Sequence, residues 1–163
     1  MNLTYPRIIP DMNLGLETIL SFEQLLFPEH PLLDPEFWRQ DSIEAHAINI
    51  DGVAVGYLAA EVDAEPGQSE DSDSVHVEGS IFSIAVGILP EMRGKGIGYA
   101  ARLWMVRQAP FLQGRQRIIS TVRTKNLVAQ NLNKKVGFTI LGLSPKFYAD
   151  GEDAIVYEFT IPQ

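Results

Sequence analysis

The 163-residue sequence contains no cysteine and no long apolar run. Without cysteine, disulfide bonds, thiol nucleophiles and cysteine-ligated zinc are excluded. No apolar segment approaches the ~20 residues that a membrane-spanning helix requires, and residues 1–10 lack the apolar region of a secretory signal. We therefore expect a cytoplasmic protein that does not associate with membranes.

Positive charge is scarce in the first part of the chain. Residues 1–92 hold 17 Asp and Glu against only Arg7 and Arg39, a net charge of −15, whereas residues 93–163 carry a net charge of +7. No basic cluster is interleaved with aromatic residues, so we expect no nucleic-acid binding. The basic part suits a phosphorylated ligand, and the acidic part suits a cationic acceptor such as a small-molecule or peptide amine.

Length and a hydrophobic content of 45% predict one globular domain over residues 1–163. Periodicity and turn signals predict strands at 3–9, 43–50, 53–62, 75–89, 116–123, 138–143 and 154–161, and helices at 14–27, 96–109 and 127–136, with a further turn or two at 35–40. Asn13 is the predicted cap of the first helix. This order predicts an α+β fold with a sheet of about seven strands and about four helices.

The most informative segment is the run Arg93, Gly94, Lys95, Gly96, Ile97 and Gly98, which lies between an apolar strand and a helical pattern. The start of a helix offers free backbone N–H groups and a partial positive charge. Glycines let the backbone approach an anion closely, and the Arg and Lys side chains add full charges. The segment therefore predicts a site for a phosphate or pyrophosphate group.

Three known loops bind such groups. The dinucleotide loop requires Gly-x-Gly-x-x-Gly early in a βαβ unit, whereas Gly94, Gly96 and Gly98 have a different spacing past mid-chain. The Gly-x-x-x-x-Gly-Lys-Ser/Thr loop is absent. The third pattern, Gln/Arg-x-x-Gly-x-Gly/Ala, is matched by Arg93, Gly96 and Gly98. A glycine-rich turn that only caps a helix is the alternative without a ligand.

The third pattern resembles the acetyl-CoA loop of the GNAT N-acetyltransferase superfamily. Further motifs resemble that family: Ile84-Ala85-Val86 before the loop, Asn126, Lys135-Val136-Gly137-Phe138, and Tyr148 with Glu152-Asp153-Ala154, the last similar to the tail of RimI-like ribosomal-protein alanine acetyltransferases. The resemblance covers residues 43–161 well and 1–42 loosely. It implies a GNAT fold with a mixed, mostly antiparallel sheet and splayed central strands, acetyl-CoA as co-substrate, no metal, and transfer to a primary amine.

The resemblance also assigns the cofactor contacts. It implies that the backbone of Ile84, Ala85 and Val86 pairs with the pantetheine arm like an added strand, and that Asn126 contacts the cofactor. The family has a proline about two residues after the equivalent of Val86, but here Pro90 comes four residues later. A bulge at Gly87 would absorb this difference, and the choice between Val86 and Ile88 as the pantetheine contact stays open.

Two catalytic residues of RimI-like enzymes are missing. Their glutamate base and tyrosine acid fall on Thr121 and Asn133, so those roles do not transfer. Glu78, on the same face of the long strand as Ser80, is the predicted base acting through a water, although it is also readable as solvated charge. Tyr148 is the predicted acid or substrate contact, with packing as the alternative.

Glu29 and His30 lie in the proline-rich connection that borders the substrate groove in relatives, so we predict that they bind substrate. A structured turn is the alternative.

The leading hypothesis is an N-acetyltransferase acting on a protein N-terminus or a small-molecule amine, as a monomer or homodimer. The alternative is a non-catalytic acyl-CoA-binding regulatory module, because the usual catalytic pair is missing.

Overall fold

The computed structural model describes residues 7–9, 15–29, 34–62 and 79–163. Within these ranges the strands are β1 Arg7–Ile9, β2 Ile43–Ile50, β3 Val53–Glu61, β4 Ser80–Ile88, β5 Arg117–Arg123, β6 Thr139–Ser144 and β7 Ala154–Thr160. The helices are α1 Leu16–Leu26, α2 Pro35–Trp38, α3 Ile97–Arg107 and α4 Leu127–Val136, with short 3₁₀ turns at Pro90–Met92 and Pro110–Leu112.

The seven strands form a sheet in the order β1-β2-β3-β4-β5-β7-β6. β1 and β2, β5 and β7, and β6 and β7 pair antiparallel, whereas β4 and β5 pair parallel. The prediction of an α+β fold with a mixed, mostly antiparallel sheet of about seven strands is therefore confirmed. The single domain and the splay of the central strands stay predictions.

The chain divides into two units of contacts, the first of which comprises Met1–Ala60 and Ile84–Trp104. Asp51 and Gly52 form the predicted two-residue turn between β2 and β3, with φ values of 50° and 81°. Beneath α1 and α2 lies one apolar cluster, made by Ile19, Leu26, Trp38, Tyr57 and Ala59. A second cluster joins β2, β3, the end of β4 and the start of α3, and contains Ile48, Val55, Leu58, Ile88, Ile97 and Ala101.

The second unit comprises Glu61–Ser83 and Met105–Gln163. β5 pairs with β7 along its full length, from Arg117 opposite Thr160 to Arg123 opposite Ala154. The core of this unit contains buried Ile118, Ile119, Val122, Phe138 and Tyr157. As predicted, α4 ends at Gly137, whose φ of 113° provides the left-handed C-cap.

Many element ends differ from the prediction by one to three residues, and two differences affect predicted functional or capping residues. Gly79 has a φ of 76° and lies in a turn, so β4 begins at Ser80 and the predicted continuous strand over 75–89 is wrong. The alternation argument for Glu78 required an extended Gly79 and no longer supports that residue, but Glu78 itself lies outside the described residues, so its role stays a prediction. The predicted cap Asn13 lies outside the described residues, and the N-cap of α1 is Gly15.

Candidate active site

The second half of β4 contains a partly exposed stretch. Ile84, Ala85 and Val86 are half-buried, although Ser83 before them and Gly87 after them are buried. The parallel pairing of β4 with β5 joins residues 80–83 to residues 117–120. The three predicted pantetheine contacts thus follow the last residue of β4 that pairs with β5.

Val86 and Ile88, the two alternatives for the pantetheine contact, have different environments at the end of β4. Ile88 is 9% exposed and belongs to the apolar cluster around Val55. The Leu89 N–H donates to the Val55 carbonyl at 2.9 Å, so β3 supports the chain beyond the strand. Gly87 lies within the strand, and a Cβ there would come within 2.6 Å of Leu26 Cδ1. A side chain at Gly87 would therefore force the end of the Leu26 side chain to shift. Val86 packs against the same cluster as Ile88 but is half-buried, so its greater exposure makes it the better candidate contact.

The 93–98 loop follows the 3₁₀ turn at Pro90–Met92 and leads into α3. Gly94 and Gly96 have φ values of 75° and 80°, in the left-handed region that L side chains rarely adopt. A Cβ added at either glycine would meet no atom within 4 Å. The backbone conformation thus requires glycine, while the space beside it is open to a ligand.

The start of α3 presents unused donors. The first helical bond runs from the Ala100 N–H to the Gly96 carbonyl at 3.0 Å. The N–H groups of Ile97 and Gly98 precede this bond, and in the described part of the chain no protein atom accepts from them. The first turn contains no acidic residue that would compete with a bound anion.

Both cations of the loop are exposed. Arg93 Nε donates to the Ile88 carbonyl at 3.0 Å, which fixes the arginine at the end of β4. Lys95 Nζ lies 3.7 Å from Met92 Sδ, a weak contact that leaves its charge for an incoming anion. Loop glycines, free N–H groups and two cations therefore fit a pyrophosphate, which is one of the charged groups of coenzyme A.

The other predicted site residues have different environments. Asn126, in the second unit, caps α4 by accepting from the Ala129 N–H at 3.1 Å through its side-chain oxygen, and this bond does not use the amide N–H donors. Glu29 is exposed in a turn after α1. His30 and Glu78 lie outside the described residues.

The second unit contains a polar cluster that sequence reasoning missed. Arg123 Nη1, at the end of β5, donates to Asp150 Oδ2 at 2.8 Å and to Glu152 Oε2 at 2.9 Å. The Arg123 guanidinium carbon lies 3.9 Å from the centre of the Tyr148 ring. We call Arg123, Tyr148, Asp150 and Glu152 the arginine–tyrosine cluster. The motif that contains Tyr148 and Glu152 was identified in the sequence, but no sequence pattern indicated that Arg123 is its partner.

The cluster shifts the pKa values of its members. Hydrogen bonding to Arg123 lowers the Glu152 pKa more than desolvation raises it. Desolvation lowers the Arg123 pKa, but the hydrogen bonds and charges of Glu152 and Asp150 outweigh it and raise the pKa overall. Burial raises the Tyr148 pKa, against the opposing effects of a hydrogen bond with Thr121 and of the Arg123 charge. Glu152 and Arg123 are therefore charged, and the phenol is protonated, at neutral pH.

The two positions where RimI-like residues were missing now have structural roles. Thr121 lies close enough to the Tyr148 hydroxyl to lower its pKa, so the position of the expected glutamate adjoins the predicted acid. Asn133 is fully buried, and its Nδ2 lies 3.4 Å from Ser120 Oγ. Asn133 therefore serves the core of the second unit.

Other features of the described residues do not add to this site. A cavity of about 540 Å³ is lined by residues that include Arg107, Arg115 and Phe159, and one of about 480 Å³ by residues that include Phe22 and Leu25; no predicted site residue lines either one. Among the residues that the structure describes, no three His, Asp or Glu side chains form a metal cluster. No helix in this part of the chain is long and apolar enough to cross a membrane.

Known proteins of one family are similar to this chain in sequence and fold. The sequence model of the acetyltransferase (GNAT) family matches residues 16–138. An N-alpha-acetyltransferase from Sulfurisphaera tokodaii is 31% identical over 144 residues, which cover 85% of this chain and 83% of that protein. An uncharacterised N-acetyltransferase from Methanocaldococcus jannaschii is 31% identical over 120 residues, covering 74% of this chain and 68% of that protein.

Solved structures share the fold at lower identity. The ribosomal-protein-S18-alanine N-acetyltransferase from Escherichia coli has a TM-score of 0.70 and 17% identity, covering 91% of this chain and 88% of that one. Arabidopsis thaliana NAA60 in complex with acetyl-CoA has a TM-score of 0.70 and 20% identity, covering 95% and 97%. The chain therefore belongs to the GNAT acetyltransferase family. It is an N-acetyltransferase, an enzyme that transfers an acetyl group from acetyl-CoA to a primary amine.

Proposed function

We propose that this enzyme acetylates the α-amino group of a protein or peptide N-terminus. The observation that carries the cofactor part is the 93–98 loop, where two left-handed glycines, free N–H groups and two exposed cations form a cradle for the coenzyme A pyrophosphate. The acceptor part is supported by the relative named N-alpha-acetyltransferase, which is similar over 85% of this chain.

The backbone of β4 orients the other end of the cofactor. Ile84, Ala85 and Val86 are half-buried beyond the ladder with β5, which suits strand-like pairing with the pantetheine arm. A backbone N–H of this strand is the proposed donor to the thioester carbonyl oxygen. Bound acetyl-CoA supplies the activated acetyl group. Asn126 is the proposed further contact, through the amide N–H donors that its cap does not use.

The side chains suit an acceptor that loses its proton easily. At pH 7 about one tenth of a free α-amine with pKa ~8 is neutral, against about one in 2,500 for lysine with pKa ~10.4. Thr121 replaces the glutamate that would act as the base, so removal of the acceptor's proton is weakly assisted. An α-amine, which is more often neutral than lysine, is therefore the favoured acceptor. Glu78 stays the proposed base, through a water, and Glu29 with His30 the proposed acceptor contacts. Tyr148, protonated at neutral pH, is the proposed acid that donates to the leaving thiolate.

The test is a pair of matched peptides incubated with acetyl-CoA. One peptide has a free N-terminus and no lysine, and the other has the same length with a blocked N-terminus and one lysine. We expect thiol release and one added acetyl group on the first, with kcat/KM at least about 100-fold above the second, because the neutral fractions differ by more than that. Mass spectrometry locates the acetyl group.

The opposite results are equally informative. Preference for the lysine peptide contradicts the proposed acceptor. Calorimetric binding of acetyl-CoA without transfer to either peptide supports a non-catalytic acyl-CoA-binding module. Tyr148→Phe keeps the ring over Arg123 but removes the hydroxyl, so unchanged kcat in this variant contradicts the role of Tyr148 as acid.

A further inference from the structure

We propose that Arg123 is a positioning residue for Tyr148: its guanidinium, held by Asp150 and Glu152, supports the tyrosine ring and thereby sets where the hydroxyl lies. This inference rests on the proposed function, in which the Tyr148 hydroxyl serves the reaction. Arg123 itself contacts Tyr148 and the two carboxylates.

The guanidinium is fixed by partners distant in sequence. Asp150 and Glu152 lie 27 and 29 residues after Arg123, and both accept from the same nitrogen at 2.8 and 2.9 Å. Glu152 also accepts from the Lys125 N–H at 3.2 Å, which ties it to the chain just beyond β5. A planar guanidinium with ionised partners has little rotational freedom. Arg123 is therefore a rigid support and not a mobile surface cation.

The backbone around Tyr148 closes on itself but does not fix the ring. The Tyr148 N–H donates to the Glu152 carbonyl at 3.1 Å, and the Gly151 N–H donates to the Tyr148 carbonyl at 2.8 Å. These bonds hold the main chain of the turn. The side chain has three neighbours of its own: Arg123 lies against the ring face, the Phe147 ring packs edge-on with 5.0 Å between the ring centres, and Thr121 lies at the hydroxyl. Without Arg123, the face of the ring would lose its support, and the edge contact with Phe147 and the neighbouring Thr121 would be left to orient it.

The charge of Arg123 also acts on the phenol. It favours release of the phenolic proton, whereas burial and the charges of Glu152 and Asp150 disfavour it. Replacing Arg123 by a neutral residue would leave the carboxylates opposite the phenol without their cation. The phenol would then hold its proton more tightly, and a general acid that holds its proton more tightly donates it less readily.

The experiment compares Arg123→Gln with Arg117→Gln in the full chain. Arg117 lies on the same strand, and its guanidinium also faces a carboxylate, Glu158, at 3.5 Å. We expect Arg123→Gln to lower kcat about tenfold or more with the KM for acetyl-CoA changed less than twofold, whereas Arg117→Gln leaves both unchanged. Arg123→Lys, which keeps the charge, should recover part of kcat.

A spectroscopic readout separates positioning from general stabilisation. Phenolate absorbance, taken as the difference from Tyr148→Phe, should show a raised Tyr148 pKa in Arg123→Gln and an unchanged one in Arg117→Gln. Normal kcat with an unshifted phenol titration overturns the inference, and so does a loss of kcat matched by an equal loss of acetyl-CoA affinity. If Arg123→Gln does not fold, Glu152→Gln should lower kcat to a smaller extent, and unchanged kcat there overturns the inference.

Failure of the proposed function has a different signature. If the wild-type chain transfers no acetyl group to an α-amine, the proposed function is contradicted. The phenol titration needs no substrate, so it still decides whether Arg123 acts on Tyr148.

Discussion

The 93–98 loop and the arginine–tyrosine cluster are both polar, but their contacts have different ranges. In the loop, Arg93 contacts Ile88, five residues earlier, and Lys95 contacts Met92, three residues earlier. In the cluster, the two ion pairs of Arg123 join residues 27 and 29 apart. The conformation of the loop is therefore local, whereas the cluster exists only once the fold has formed.

The two regions also differ in how far the protein itself satisfies them. The loop has backbone donors without protein acceptors in the described residues and two exposed cations. In the cluster, Arg123 is paired with both carboxylates, and the Tyr148 ring lies against the guanidinium and the Phe147 ring. The loop therefore leaves donors and charges for a ligand, whereas the polar groups of the cluster are paired with one another. Substitutions in the loop should therefore cost affinity, and substitutions in the cluster should cost turnover and stability.

The largest effect is expected at Gly96. Gly96→Ala forces an L side chain to adopt a φ of 80° and places a methyl group beside the predicted pyrophosphate. We expect acetyl-CoA affinity to fall at least about tenfold, or about 1.4 kcal/mol, because the backbone can no longer approach the anion closely. Isothermal titration calorimetry measures this loss.

The matched control is Gly114→Ala. Gly114 has a φ of 75° and open space around it, but it lies outside the loop. Both variants carry the same left-handed strain of about 1–2 kcal/mol, so their thermal midpoints should fall by similar amounts. Equal loss of acetyl-CoA affinity in both would mean that strain, and not the cradle, explains the Gly96 effect.

A smaller effect is expected from the loop cations. Arg93→Gln and Lys95→Gln should each lower acetyl-CoA affinity about three- to tenfold, because an exposed charge near a phosphate is partly screened by salt. Titrations at low and high salt should show that the difference in acetyl-CoA affinity between each variant and wild type becomes smaller as the salt concentration rises. Arg107→Gln, at an exposed arginine of the last turn of α3, should leave affinity unchanged. A salt-independent loss would contradict an electrostatic role.

Local features of the fold followed from the sequence. The turn at Asp51 and Gly52, the C-cap at Gly137 and the glycine loop each depend on residues close together in the chain, so their chemistry was readable there. The prediction over 75–89 was wrong at Gly79 because apolar and polar alternation does not report a single left-handed residue.

Long-range features did not follow. Arg123 meets Asp150 and Glu152 because β5 pairs with β7 in the register that sets Arg123 opposite Ala154, two residues after Glu152. No local pattern encodes that register. The preference for Val86 over Ile88 also required the packing of Ile88 against Val55, which depends on β3 and β4 together. Tertiary pairing therefore decided the parts of the site that spacing left open.

The smallest effect is expected in the acid stability of the cluster. Glu152 has a lowered pKa in the folded chain, chiefly because Arg123 donates to it. A carboxyl whose folded pKa lies below its unfolded value contributes stability above the unfolded pKa, and this contribution disappears as the pH falls through the folded pKa. Glu152→Gln should therefore have a lower thermal midpoint than wild type at pH 7, and the two midpoints should converge in acid.

The control is Glu36→Gln, which breaks the exposed pair between Glu36 and Arg39 within one helical turn. Exposed pairs contribute little stability, so this variant should stay close to wild type throughout a series of thermal melts from pH 7 to pH 3. If the thermal midpoint of Glu152→Gln stayed below that of wild type by the same amount at every pH, the glutamine would be disturbing packing. The ion pair would then not explain the stability of the turn. Convergence in acid for Glu152→Gln alone would show that the ionised carboxylate holds Arg123 in place, which the positioning of Tyr148 requires.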